Sequence, residues 1–151
     1  MAIKELNNSL PMMLYKALDT IMPKFRIIFK EFGITETQAR VLRVLWQHQR
    51  IALNELSSLT LITPPSLVGV IDRMELNNLV KRNHSSADRR KTIINLTKKG
   101  IELESRVLPK IAKVYEEIES SLDNKELDNI LTLLEKISLI DRKKGKEKNG
   151  C

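Results

Sequence analysis

Apolar side chains return every three or four residues along most of this chain, and that spacing constrains its fold more than any other feature. Leu10, Leu14, Leu18, Ile21, Phe25, Ile28 and Phe32 form one broad stripe, as expected of a helix with one face to bury. Pro11 fits the first turn of that helix, where its missing N–H is not needed. Pro23 falls inside the pattern and should kink or weaken it. Gly33 supplies a stop. Thr35 and Gln38 have the spacing of a capping box and open a second helix that runs to about His48. Residues 52–60 read as a short helix, with a break at Leu61-Ile62. Thr63 can cap the next helix, with Pro64 at its first position. Leu67, Val70, Ile71 and Met74 give that helix a buried face, and Asn77-Asn78 ends it, because asparagine tolerates a left-handed backbone. Thr97 can cap a long helix to about Ser120, and a last helix covers about 123–142. Aromatic residues are only 4% of the chain, so Ile, Leu, Val and Met must fill the core, which suits helices.

The helical pattern lapses once. Leu79 to Arg82 reads as a strand, and the β-branched run Thr92 to Leu96 reads as its partner. Between them lies a polar, basic hairpin tip, residues 83–91. The expected fold is therefore mainly α with a small β-hairpin wing. Three central helices and the hairpin make a winged helix-turn-helix, flanked by helices from both ends of the sequence.

Charge points the same way. The 151 residues carry a formal net charge of +7, which suits a polyanionic partner. No apolar run approaches the roughly 20 residues of a membrane span, so no membrane role is expected. Residues 1–8 hold no apolar signal core, and the one cysteine, Cys151, has no partner for an intrachain disulfide. A cytoplasmic protein is expected. His48 and His84 are far apart and lack cysteine neighbours, so neither a metal nor any other cofactor is expected. No Ser/His/Asp arrangement or Gly-rich phosphate loop is present, which argues against an enzyme.

A helix and a β-ribbon are the two elements that fit a DNA groove. Residues 52–60 would brace and 63–77 would read double-stranded DNA. The outward face of the reading helix offers Thr63, Pro64, Pro65, Ser66, Val68, Gly69, Asp72 and Arg73, with small residues at the end that must approach the bases. Thr63 and Ser66 can donate or accept, Pro65 and Val68 can touch thymine methyls, and Arg73 suits a phosphate. The wing carries Lys81, Arg82, Arg89, Arg90 and Lys91 against one acid, Asp88. An arginine at its tip can enter a narrow minor groove, and Asp88 can pair with Arg90 to fix its direction. The terminal stripes are too long and apolar to serve a small winged lobe alone. A homodimer would bury them and set two reading helices roughly 34–36 Å apart for a palindromic operator.

The sequence resembles the MarR family of bacterial regulators over nearly its whole length. The wing and its exit carry the likeness, from Asp88-Arg89-Arg90-Lys91 through Leu96-Thr97 to Lys99-Gly100, together with Pro65-Ser66-Leu67 and Arg73-Met74-Glu75 of the reading helix. Asn78 departs from the family's usual glycine. The resemblance implies an obligate dimer, Arg90 in the minor groove with Asp88 as its partner, and a small-molecule pocket between the dimer helices and the reading lobe. It implies one domain over residues 1–151, with a winged lobe at 34–96, dimerisation helices at 8–32 and 97–142, and a basic disordered tail at 143–151. Phe25-Arg26 and the reading helix are similar to repressors of aromatic-acid catabolism, which implies a repressor released by a small aromatic or phenolic acid. On that reading Arg26 meets a ligand carboxylate, and Trp46 and His48 line the pocket. Otherwise Arg26 bridges helices and Trp46 belongs to the core. A ligand-independent regulator that competes at AT-rich promoters is the other reading of the same fold, and a dimeric protein-interaction module is a third.

Overall fold

Helix ends decide how this chain turns. The computed structural model describes residues 8–140; the expected basic tail and Cys151 lie outside them. Helix α1 (Leu10–Glu31) has Pro11 in its first turn and runs through Pro23 as one element. Pro23 forfeits the bond its N–H would make to the Asp19 carbonyl, but the helix is not interrupted. Gly33 ends it with φ +66°. There the N–H of Gly33 donates to the Lys30 carbonyl at 3.1 Å and that of Ile34 to the Phe29 carbonyl at 3.0 Å, a left-handed cap that satisfies the last carbonyls. Helix α2 (Glu36–His48) opens on the capping box: the Thr35 hydroxyl accepts the Gln38 N–H at 3.1 Å, and the Gln38 side chain accepts the Thr35 N–H at 3.0 Å.

A short strand, β1 (Arg50–Ala52), follows, then α3 (Leu53–Thr60), α4 (Pro64–Leu76), strands β2 (Val80–His84) and β3 (Thr92–Leu96), α5 (Lys98–Glu119) and α6 (Asn124–Ser138). The expected two-stranded hairpin is thus a three-stranded antiparallel sheet in the order β1-β3-β2, with Ile51 and Arg82 both paired to Ile94. Three residues of Arg-Ile-Ala carry too little alternation to read as a strand. Strand β2 starts one residue later than its sequence suggests, because Leu79 belongs to the cap of α4. Its N–H donates to the Met74 carbonyl at 2.9 Å while Asn78 holds φ +55°, so asparagine does the work a glycine would do.

The described residues divide into two compact units inside α5, the first ending at Ile111 and the second starting at Ala112. In the first unit Leu42, Leu45, Leu56, Leu67, Ile71, Met74 and Ile94 are fully buried and form the core that holds α4 and the sheet. In the second unit α6 opens on another capping box, Asp123 with Glu126, and has no buried residue. No helix among the described residues is long and apolar enough to cross a membrane.

Candidate nucleic-acid interface

The helix expected to read DNA is α4, and its burial is one-sided. Leu67, Val70, Ile71 and Met74 face the core, while Thr63, Pro65, Ser66, Val68 and Arg73 are exposed and Gly69 is half-buried. Thr63 occupies the N-cap position, but its hydroxyl makes no bond to the helix backbone. It donates instead to the Ser66 hydroxyl at 3.0 Å, so the two groups expected to meet bases are held to each other at the helix's leading end. A Cβ on Gly69 would stand 3.7 Å from Arg73 Nη1, which places the Arg73 guanidinium back along the helix over that glycine.

The brace is α3. The Ser57 hydroxyl donates to the Ile62 carbonyl at 2.6 Å, tying α3 across the turn. The turn itself is left-handed at Leu61, with φ 55°. Arg40 of α2 donates to the Thr60 carbonyl at 3.3 Å from the other side.

The wing tip is organised by two short side chains. Ser85 Oγ accepts the N–H groups of Ala87 and Asp88 at 3.3 and 3.4 Å. Asp88 Oδ1 accepts the backbone N–H of Arg90 at 2.9 Å. The sequence suggested that Asp88 pairs with the Arg90 side chain. In this structure it grips the backbone and so fixes the turn, leaving the guanidinium free of a carboxylate. Arg89, Arg90 and Lys91 are all exposed, and no carboxylate among the described residues pairs with them. A cleft of about 250 Å³ opens beside the wing tip, lined by Leu53, Asn54, Arg90, Lys91 and Thr92. The unforeseen strand β1 makes this cleft, since pairing Ala52 with Ile93 brings the start of α3 alongside the wing.

Arg82 differs from the other wing cations. Its Nη1 pairs with Asp72 and donates to Glu75 Oε2 at 2.7 Å, and its Nη2 donates to the Val68 carbonyl at 3.1 Å. By sequence it is one of the wing's five basic residues. The available signal was a helix ending in Asp72 and Glu75, two turns before a strand that carries an arginine.

The three residues expected at a ligand site lie apart from these. Arg26 Nε donates to Glu36 Oε2 at 2.9 Å and bridges α1 to α2. Trp46 is buried and its indole N–H donates to the Gly100 carbonyl at 2.9 Å. His48 is exposed at the end of α2. A cavity of about 280 Å³ lies elsewhere, lined in part by Phe32, Ile34, Asn77, Lys99, Leu103 and Arg106. In it the Arg106 guanidinium sits 5.2 Å from the centre of the Phe32 ring, a cation–π contact. Among the described residues no cluster of His, Cys, Asp and Glu is placed to hold a metal ion.

Comparison with known proteins converges on one group. Residues 34–92 match the profile described as the MarR family. The chain is 34% identical over 130 residues to the homoprotocatechuate degradative operon repressor of Escherichia coli, covering 86% of this chain and 88% of that one. Among solved structures it resembles NadR in complex with 4-hydroxyphenylacetate, with a TM-score of 0.78, 28% identity, and coverage of 93% of this chain and 99% of that one. It also resembles BpsR of Bordetella bronchiseptica, whose DNA binding is regulated by 6-hydroxynicotinic acid, with a TM-score of 0.82, 25% identity, and coverage of 91% and 98%.

Proposed function

The chain belongs to the MarR family of DNA-binding transcriptional regulators, and on that premise we propose that it is a homodimeric repressor that a small aromatic acid releases from a palindromic operator. The observation that carries the DNA-contact assignment is the pairing of an exposed α4 face with a wing whose Arg89, Arg90 and Lys91 are unpaired among the described residues. Thr63, Pro65, Ser66, Val68 and Gly69 of α4 enter the major groove, Arg73 meets a phosphate, and Arg90 enters the minor groove from a tip held by Asp88. Arg89 and Lys91 add phosphate contacts, with Lys91 at the cleft beside Asn54.

The dimer is supported by apolar surface left exposed among the described residues. Leu10, Met13 and Leu18 of α1 and Ile130, Leu131, Leu133 and Leu134 of α6 are all exposed. The effector is supported by the aromatic acids named for the two neighbouring proteins and by a cavity here that sets the Phe32 ring beside Lys99 and Arg106, with Glu31 and Glu102 also on its lining. The Trp46 indole N–H and Arg26 Nε are engaged within the chain, and in the cavity Lys99 Nζ donates to the Asn77 carbonyl, so Arg106 is the carboxylate partner the cavity offers. Ligand acts by preferring a lobe arrangement that DNA does not, and its differential affinity sets the size of the effect.

The test is titration of 4-hydroxyphenylacetate and related acids into the protein bound to DNA upstream of its own gene. Release by one acid, lost in Arg106→Ala, supports both the effector and its cavity. Release lost in Arg26→Ala instead moves the carboxylate to α1. If calorimetry shows no acid binding and none changes DNA affinity, a ligand-independent regulator is the correct reading.

A further inference from the structure

One side chain joins the wing to the reading helix. Arg82, in the middle of β2, sends its guanidinium back to α4, where it meets Val68, Asp72 and Glu75. Those three residues are spaced by four and three, so they share one helix face across two turns. Glu75 holds Arg82 twice: Oε2 takes the guanidinium at 2.7 Å and Oε1 accepts the backbone N–H at 2.8 Å. The side chains of Arg82 and Glu75 are 29% and 33% exposed, so this is a partly desolvated network rather than a loose surface pair. A guanidinium has a rigid fork of donors suited to several acceptors at once, and lysine does not.

The charges matter beside DNA. Asp72 and Glu75 are the two carboxylates of α4, and Asp72 is 54% exposed on the side toward the wing. Two unpaired carboxylates there would face a duplex carrying one negative charge per roughly 1.7 Å of axis. Arg82 is the cation they contact.

We propose that Arg82 is a positioning residue for DNA recognition, fixing the spacing between wing and reading helix and masking Asp72 and Glu75 from the phosphates without contacting DNA itself. This rests on the reading above, in which α4 and the wing grip one duplex.

The test uses the full chain and fluorescence anisotropy on upstream DNA and on random DNA, across salt. Arg82→Gln should lose on the order of tenfold in affinity for the upstream site at low salt, more than for random DNA, and the loss should shrink as salt screens the unmasked carboxylates. The triple variant Asp72→Asn, Glu75→Gln, Arg82→Gln should recover most of that loss, because no carboxylate remains to be masked. If Arg82 grips a phosphate instead, the triple variant stays as weak as the single, which overturns the proposal. Unchanged affinity in Arg82→Gln also overturns it. Should the glutamine variant fail to fold, Arg82→Lys carries the test, since it keeps the charge and loses the fork. Weaker binding at an unchanged slope supports the proposal, and full affinity contradicts it. Arg90→Ala run in parallel separates the two levels. If it too leaves affinity unchanged, the underlying DNA-contact reading fails, whereas weakening by Arg90→Ala alone sinks only the role of Arg82.

Discussion

The indole N–H of Trp46 donates to the backbone carbonyl of Gly100 at 2.9 Å, across 54 positions of sequence. That bond ties α2 to the first turn of α5, and both groups are buried. Trp46→Phe removes the donor and leaves a carbonyl to be satisfied within its own helix. A loss of about 1–2 kcal/mol in unfolding free energy is expected, read by urea denaturation. An unchanged midpoint would show that the bond contributes nothing net.

Gly100 is constrained on its other side as well. A Cβ there would stand 2.2 Å from the Leu79 carbonyl oxygen, an atom of backbone that cannot swing away. Gly100→Ala must therefore push α5 off the turn that follows α4. We expect a cost on the order of 3 kcal/mol and weaker DNA binding, because the displaced turn carries α4. A variant as stable as the parent would mean that the helix start tolerates a shift.

Leu61 offers a change in the opposite direction. It holds φ 55° and ψ 31° at the end of α3, a left-handed backbone that a leucine adopts at a penalty, and its side chain is 80% exposed. Leu61→Gly should stabilise the protein by about 0.5–1 kcal/mol, since glycine removes the steric conflict at some entropic expense. A thermal melt checks this, and a lower Tm would show that the leucine has a packing partner outside the single chain.

The apolar residues of α6 test the dimer. Ile130, Leu131 and Leu134 are exposed and none of α6 is buried. Light scattering of the purified protein should give twice the mass of one chain. Leu131→Asp should shift the population toward monomer and weaken binding to a palindromic site. A monomeric wild type would contradict the dimer.

Much of this architecture was legible because local chemistry announced it. Thr35 with Gln38, Gly33 and Asn78 marked helix ends that the structure places there, each by a short-range bond that needs no tertiary context. The face of α4 followed from the spacing of Leu67, Val70, Ile71 and Met74. What escaped was non-local. Strand β1 exists because β3 offers it an edge, and three residues carry no such information. The partners of Arg82, Arg26 and Trp46 are fixed by how elements pack, so composition alone could count the wing's cations but not say which one was spoken for. Asp88 shows the same limit at close range. Its proximity to Arg90 was readable, whereas its choice of backbone over side chain was not.

We propose that α4 and the wing together read DNA, with Arg90 inserted in the minor groove. The most direct measurement is binding of the purified chain to DNA upstream of its own gene, by fluorescence anisotropy across salt, beside Arg90→Ala. Tight, salt-sensitive and sequence-selective binding is expected, with Arg90→Ala weaker by roughly ten- to a hundredfold, equivalent to about 1.4–2.7 kcal/mol. Binding that is equal on random DNA and indifferent to Arg90→Ala would contradict it.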